Sequence, residues 1–218
     1  MGDVDPGEPS DRIVSADASR ARAGQTLPVS NPRPADVAAL AAQVRDAAPC
    51  LGTVRLVCVD GPAGSGKSTL AAALAARIGE GAVVVHLDDL YEGWAGLGGV
   101  WDRVEEQVLG RLETGAPARY QRYDWVEGRF AEWVDVPVPE VLVLEGCGSA
   151  PRAVDGRAVL RVFVEAPPEV RLARGLERDG DGMRDHWVAW MAEEAAEHTR
   201  EDTRARADVV VDGTAPLR

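Results

Sequence analysis

Five short apolar runs divide the sequence, and each is bounded by charged or turn-forming residues. They cover residues 54–59, 82–86, 141–144, 159–164 and 208–212. Between them, apolar side chains recur every three or four positions, which is typical of helices with one buried face. These helical segments cover residues 34–49, 68–78, 101–112, 168–178 and 185–206. Strands that alternate with helices predict an α/β fold, with three layers built on a mostly parallel five-stranded sheet.

The first predicted strand leads into a glycine-rich loop that matches G-x-x-x-x-G-K-[ST] at every fixed position, and a helical segment follows. A strand, this loop and a helix in that order indicate a phosphate-binding loop (P-loop) of the P-loop NTPase fold. We expect Lys67 to reach the outer phosphates of ATP and the Ser68 hydroxyl to ligate Mg²⁺. The residues expected around the nucleotide are Gly61, Ala63, Gly64, Ser65, Gly66, Lys67, Ser68 and Thr69.

Lys67 is the only lysine in the chain, although the sequence contains 24 lysine and arginine residues in total. Arginine replaces lysine on most surfaces, but a compact ammonium on a thin stem differs from a planar guanidinium. Compositional drift explains why lysines are few. It does not explain why the last one stands in the motif that requires it.

Composition limits the remaining possibilities. A length of 218 residues fits one α/β domain (34–218), preceded by a polar N-terminal tail (1–33) that we expect to be disordered. The net charge of −12 argues against nucleic-acid and anionic-membrane partners. No apolar run approaches 18 residues, and the N-terminus lacks the apolar segment of a secretory signal. With three scattered cysteines, these features predict a cytoplasmic protein with reduced thiols.

Acidic residues follow two of the other predicted strands. Asp88 and Asp89 come after the second strand, and Glu145 ends the third. In a parallel sheet the carboxyl ends of the strands share one edge, so these side chains are expected beside the P-loop. A carboxylate there can bind Mg²⁺ or accept the proton of an attacking hydroxyl, and the alternative is an ordinary solvated turn.

Several of these segments resemble the uridine kinase and phosphoribulokinase-like group of small-molecule kinases. Residues 88–91 (Asp-Asp-Leu-Tyr) are similar to its D-x-F-Y segment, and residues 141–146 are similar to its apolar strand followed by Glu-Gly. Residues 171–179 (Arg-Leu-Ala-Arg-Gly-Leu-Glu-Arg-Asp) resemble its arginine-rich lid, and residues 207–213 resemble its closing strand. The resemblance spans roughly residues 52–214 and implies transfer of a phosphoryl group to a small acceptor.

The resemblance also implies individual roles. Asp88 would take the proton of the acceptor hydroxyl, and Glu145 would help to hold Mg²⁺. Arg171, Arg174 and Arg178 would close over the phosphates, with a lid at about 178–185. Their spacing places the three arginines on one helix face, although a solvated charged face is the alternative because glutamates lie on the same helix.

The acceptor side departs from the pattern of the group. Residues 115–138, a substrate-side insertion, are expected to be irregular and contain only Tyr123-Asp124-Trp125 where the group has a longer nucleoside-contacting segment ending in His-Pro. These residues, with Asp89 and Tyr91, are the predicted substrate contacts, with Asp124 at a sugar hydroxyl and an aromatic ring on a base. Alternatively, the aromatic residues pack a small subdomain. A sugar, a vitamin precursor and a nucleoside monophosphate remain open as acceptors.

Together, these observations predict an ATP- and Mg²⁺-dependent kinase that phosphorylates a hydroxyl of a small metabolite, with a pyrimidine nucleoside as the leading acceptor. The sequence does not determine the oligomeric state. The rival hypothesis is a P-loop regulatory or partner-binding module that binds ATP without a small acceptor, with the aromatic insertion as its interaction surface.

Overall fold

The central sheet contains five parallel strands, as predicted. The computed structural model describes Met1 and residues 32–218. The strands of the sheet are β1 (Arg55–Asp60), β2 (Ala82–His86), β5 (Val141–Glu145), β6 (Ala158–Glu165) and β7 (Val209–Asp212). Their order is β2-β5-β1-β6-β7, and every neighbouring pair runs parallel. β1 therefore lies at the centre, and the P-loop emerges from the middle of the sheet edge.

Helices cover both faces of this sheet. They are α1 (Val37–Asp46), α2 (Lys67–Ile78), α3 (100–113, with a π-helical turn at Glu105–Leu109), α4 (Pro168–Asp179), α5 (Arg184–Glu201) and α6 (Thr203–Arg206). Alternate β1 side chains enter two separate cores, because successive strand residues point to opposite faces. Leu56 and Cys58 pack with α3, whereas Val57 and Val59 pack with α1 and α2. This arrangement confirms the three-layer α/β prediction.

The insertion is a β-hairpin rather than the irregular segment expected from the sequence. Strands β3 (Ala118–Asp124) and β4 (Arg129–Val136) pair antiparallel. Ala118 and Tyr120 are buried while Arg119 between them is exposed, so the hairpin turns one side towards the core. The outward positions are mostly polar or charged, and this composition hid the period-two pattern from the sequence analysis.

Two of the predicted helices have different boundaries in the structure. The first helix begins at Val37, where Asp36 accepts a hydrogen bond from the Ala39 N–H over 2.9 Å, and not at Pro34. The helix predicted to run to about residue 206 ends at Glu201, since Asp202 adopts a left-handed conformation (φ 50°), and α6 follows. The glycine-rich segment at 92–99 forms two short 3₁₀ turns, Gly93–Ala95 and Leu97–Gly99.

The predicted tail lies almost entirely outside the described residues. At its end, Arg33 pairs with Val211 of β7 as a parallel bridge. Cys50, Cys58 and Cys147 are free thiols. Among the helices within residues 32–218, none has the length and apolar character needed to cross a membrane.

Candidate active site

The P-loop backbone adopts conformations that are strained for any residue with a Cβ atom. Gly61 and Gly64 have φ values of 136° and 75°, in the region that favours glycine. A Cβ atom at Gly61 would lie 2.1 Å from the Val164 carbonyl oxygen, and one at Gly64 would lie 2.6 Å from that of Arg171. The loop thus packs its backbone directly against the neighbouring backbone, which fixes its curve before any ligand binds.

The loop and the first turn of α2 leave several N–H groups available for an anion. Within the described chain, the amides of Gly66, Lys67, Ser68 and Thr69 donate to no protein acceptor, whereas Leu70 bonds to the Gly66 carbonyl at 3.2 Å. Free amides and the positive end of the helix dipole attract phosphate oxygens. The Ser65 hydroxyl is also buried without a hydrogen-bond partner among these residues. The chemistry of this cradle fits the phosphates of a nucleotide.

Lys67 is held at the base of the loop. Its side chain is buried, and Nζ donates to the Pro62 carbonyl over 3.0 Å and lies 3.9 Å from Sγ of Cys147. Burial disfavours the ammonium, but the nearby Cys147, Glu145 and Asp88 outweigh it, so the pKa of Lys67 is raised. The positive charge of Lys67 is therefore favoured by the acidic groups around it.

Glu145 joins the P-loop helix to the second strand. Its Oε1 accepts from the Ser68 hydroxyl at 3.2 Å, and its Oε2 lies 2.7 Å from Nδ1 of His86. The hydrogen bond to Glu145 is the largest cause of a raised pKa at His86. A hydroxyl and a carboxylate oxygen are ligands that Mg²⁺ prefers, and His86 fixes the orientation of the carboxylate. The pair Ser68 and Glu145 thus fits the predicted magnesium site.

Asp88 and Asp89 lie just after β2, in the 3₁₀ turn Leu87–Asp89. Asp88 is accessible through the adjoining cavity, yet enclosure by the surrounding protein raises its pKa, while Lys67 acts in the opposite direction. Asp89 accepts a hydrogen bond from the Tyr120 hydroxyl over 2.9 Å, which ties the turn to the hairpin. Asp88, in contrast, lines the adjoining cavity with its neighbour Glu145.

Two cavities flank Lys67. The first, of about 670 Å³, extends along α2 to β7 and the segment after it, and we call it the nucleotide-side cavity. The second, of about 570 Å³, contains Asp88, Asp89 and Glu145 and is walled by tryptophans, and we call it the acceptor-side cavity. Both are lined by Gly64, Lys67, Ser68, Arg178 and Trp187. Two ligands, one bound in each cavity, would therefore meet each other at the P-loop.

The three lid arginines occupy different positions. Arg171 is buried and forms an ion pair with Glu194, away from both cavities. Arg174 lines the nucleotide-side cavity and donates to the carbonyls of Gly64 and Gly213 at 3.0 and 3.1 Å. Only Arg178 lines both cavities, where it pairs with Asp179 at 2.7 Å. Arg171 therefore braces the P-loop, to which it donates at the Ala63 carbonyl, and Arg178 is the lid arginine that lines both cavities.

Some of the predicted substrate contacts line the acceptor-side cavity and others do not. Asp89, Tyr91 and Trp125 line the acceptor-side cavity, although the Tyr91 hydroxyl is already bonded to the Cys147 carbonyl at 2.8 Å. Tyr123 packs on Phe130 at 5.1 Å outside the cavity wall. Asp124 accepts from the N–H groups of residues 126 and 127, both at 2.9 Å, and so stabilises the hairpin turn. The cavity does not include Tyr123 or Asp124.

Sequence reasoning missed four groups that shape this site: His86, Asp60, Glu194 and the pair Trp187 and Trp190. Asp60 is buried and accepts from the N–H groups of Gly61, Gly148 and Ala150. A charged residue at the end of an apolar strand was a signal for Asp60. The signal for Glu194 was weak: it follows Trp187 and Trp190 at helical spacing in the segment predicted at 185–206.

The chain is similar in sequence to known proteins. The family model described as AAA domain matches residues 57–199, more than half of the chain. The chain is 25% identical over 176 residues to a uridine kinase of Halobacterium salinarum, covering 70% of this chain and 77% of that protein.

Two solved structures share the fold. A candidate uridine kinase from Bacillus stearothermophilus has a TM-score of 0.59 at 20% identity, covering 81% of this chain and 97% of its own. A candidate fructose transport system kinase from Silicibacter sp. TM1040 has a TM-score of 0.55 at 24% identity, covering 80% and 98%. The resemblance to uridine kinase-like P-loop kinases is thereby confirmed, and the chain belongs to the AAA domain family.

Proposed function

We propose that this protein transfers the γ-phosphoryl group of ATP to a hydroxyl group of a small metabolite, with a pyrimidine nucleoside as the acceptor. The observation that carries the proposal is the position of Lys67, which lies between two cavities that share the P-loop. A module that only binds or hydrolyses ATP needs the nucleotide-side cavity and no second one. A second cavity containing a free carboxylate, Asp88, is what a phosphoryl acceptor requires.

The side chains fit the chemistry of this transfer. The acceptor oxygen bonds to the γ-phosphorus as the bond to the β,γ-bridging oxygen breaks, and ADP leaves. Asp88 accepts the hydroxyl proton, and Lys67 and Arg178 offset charge on the phosphate oxygens. Mg²⁺, held by Ser68 and Glu145, would add charge neutralisation at the phosphates when bound. Phosphoryl transfer depends mainly on such positioning and electrostatics.

The walls of the acceptor-side cavity support an uncharged acceptor with a flat ring. Lys67 and Arg178 are the cations among its described lining residues, and both also face the nucleotide side. Four carboxylates line the cavity: Asp88, Asp89, Glu145 and Asp179. An acceptor that carried its own phosphate or carboxylate would meet this negative charge without a dedicated cation. Four tryptophans offer ring faces for stacking.

The similarity to a uridine kinase supports the same acceptor class, since a nucleoside combines a flat base with sugar hydroxyls. Trp125, from the hairpin insertion, and Trp94 present their rings in this cavity and lie 5.8 Å apart, centroid to centroid. We therefore assign the insertion to the acceptor side of the domain.

The test is Mg-ATP-dependent ADP release against a panel of acceptors. It contains uridine, cytidine, purine nucleosides, nucleoside monophosphates, pantothenate, gluconate and ribulose phosphate, with Lys67→Ala as the blank. We expect stimulation by a pyrimidine nucleoside. Stimulation by an anionic member of the panel instead would contradict an uncharged nucleoside as the acceptor, but it would still support kinase activity. Slow hydrolysis insensitive to every acceptor would favour a regulatory module.

A further inference from the structure

One face of α5 connects the acceptor-side cavity to the P-loop. Trp187, Trp190, Glu194 and His198 follow one another at spacings of three and four residues, so they share a single stripe along the helix. Trp187 and Trp190 line the acceptor-side cavity. Glu194 and His198, one and two turns further on, contact the P-loop and the residue before it. A single rigid element thus touches both halves of the site.

Glu194 forms the first of these contacts. Its carboxylate accepts from the Ala63 N–H over 2.7 Å, pairs with Arg171, and accepts from the Cys147 thiol over 3.3 Å. Only 1% of its surface is exposed. A buried carboxylate with three directional partners holds them in fixed relative positions. Two of the partners adjoin Lys67: Ala63 belongs to the same loop, and Cys147 lies 3.9 Å from Nζ.

His198 forms the second contact. Its Nε2 lies 3.1 Å from Oδ1 of the buried Asp60, which also accepts from the Gly61 N–H at 2.6 Å. The helix therefore holds the P-loop at both Gly61 and Ala63. A displacement of α5 relative to the sheet would reach the phosphate cradle at these points.

The ends of α5 are compatible with a small displacement of the helix. It follows Gly180 (φ 93°) and the short turn Asp181–Met183, and it ends at the left-handed Asp202. The helix is thus bounded by two turns, and its contacts with other elements include the two tryptophans and the two polar contacts at the P-loop.

From these contacts we propose that Glu194 is a positioning residue that couples the acceptor-side cavity to the P-loop, so that a ligand at one alters affinity at the other. The inference rests on the proposed function for the identity of the second ligand, but the coupling itself is a property of Glu194 and α5. Binding of nucleotide phosphates at the loop is transmitted through Ala63 and Glu194 to Trp190. By reciprocity, an acceptor against Trp190 strengthens ATP binding by the same factor.

The primary test reads the coupling without an acceptor. The protein is labelled with 5-fluorotryptophan, its six tryptophan resonances are assigned by single Trp→Phe variants, and Mg-AMP-PNP is titrated by ¹⁹F NMR. Trp187 lines the nucleotide-side cavity and reports binding directly, whereas Trp190 lines only the acceptor side. We expect both resonances to shift in the wild type and only that of Trp187 to shift in Glu194→Gln.

Glu193→Gln is the matched control, because the neighbouring residue is exposed on the same helix. Since Glu194→Gln leaves Arg171 buried without its partner, the double variant Arg171→Gln/Glu194→Gln removes both charges and guards against unfolding, which thermal melting would reveal. An unshifted Trp190 in the wild type, or an equal shift in Glu194→Gln, would overturn the coupling. Absence of any shift at Trp187 as well would overturn the proposed function together with it.

A second measurement uses uridine as the probe. Mg-AMP-PNP affinity is measured with and without saturating uridine, and we expect a gain of about five- to tenfold in the wild type and in Glu193→Gln, falling to about onefold in Glu194→Gln. An intact gain in the variant would contradict the role of Glu194. If uridine has no effect on the wild type while the NMR coupling is present, the acceptor assignment fails and the coupling stands.

Discussion

The indole Nε1 of Trp125 donates a hydrogen bond to the backbone carbonyl of Asp88 over 3.0 Å. Trp125 belongs to the hairpin insertion, and Asp88 follows a strand of the central sheet, so the bond joins the inserted subdomain to the proposed catalytic base. Tyr120 makes a second connection through Asp89. The hairpin therefore helps to place the carboxylate as well as to wall the acceptor-side cavity.

Trp125→Ala should weaken use of the acceptor more than use of ATP. The change removes one aromatic wall and the hydrogen bond to the Asp88 carbonyl, so we expect the KM for the acceptor to rise about five- to thirtyfold, as losing about 1–2 kcal/mol of ring contact would produce. Steady-state kinetics, with the acceptor and ATP varied in turn, give the KM for each substrate and so compare the two effects. Trp133→Ala is the control, because Trp133 lies on the same hairpin, is 48% exposed and does not line this cavity. Equal effects of the two variants would argue against the assignment of Trp125.

Asp88→Asn should lower kcat by at least two to three orders of magnitude and leave ATP affinity nearly unchanged, because the group acts on the acceptor. Asp89→Asn is the matched comparison, and there we expect a smaller change. An unaltered kcat in Asp88→Asn would move the base to Asp89 or elsewhere.

The rate should also depend on pH in a definite direction. The pKa of Asp88 is raised by enclosure, and the base works only as the carboxylate. As pH falls, kcat/KM for the acceptor should therefore decline at a higher pH than an ordinary aspartate would require. A pH–rate profile from pH 4 to 8 tests this, and an Asp88→Asn profile without the acid limb would assign it to Asp88.

The parts of the site that were predictable are those that follow from chain order. Strand ends in a parallel sheet meet at one edge, so Lys67, Asp88 and Glu145 could be brought together from the sequence before any contact was known. Contacts between residues that are far apart in the sequence could not be predicted in this way. Glu194 lies 131 residues from Ala63, and no local spacing relates them. Asp124 shows the limit of local sequence: an acid beside aromatic residues predicted a sugar contact, and the structure shows its carboxylate bonded to its own turn, outside the acceptor-side cavity.

The hydrogen bond between His86 and Glu145 should stabilise the protein more at low pH than at high pH. A histidine whose pKa is raised by folding contributes stability that is full below the unfolded value, about 6.5, and is lost as pH rises through the folded value. His86→Asn should therefore lower the melting temperature more at pH 6 than at pH 9. Because the imidazole is 43% exposed, we expect the loss in the free energy of unfolding to be less than about 1 kcal/mol.

This comparison is made without Mg²⁺ or nucleotide, since Glu145 is proposed to bind the metal. His186→Asn provides the control, because His186 stacks on Trp94 and forms no ion pair within residues 32–218. The same loss of stability at both pH values in His86→Asn would show that the imidazole packs there without titrating.

The glycine that opens the P-loop should tolerate no side chain. In Gly61→Ala, the new methyl group would be placed 2.1 Å from the Val164 carbonyl oxygen at a φ of 136°, so either the loop or β6 must move. We expect a loss of about 1–3 kcal/mol or more in the free energy of unfolding, and loss of Mg-ATP binding as the cradle distorts. Gly98→Ala is the control, because a Cβ there meets no atom within 4 Å and its φ is ordinary. Denaturant unfolding and nucleotide titration measure the two effects separately. Full stability with normal ATP binding in Gly61→Ala would contradict the loop geometry on which the whole site depends.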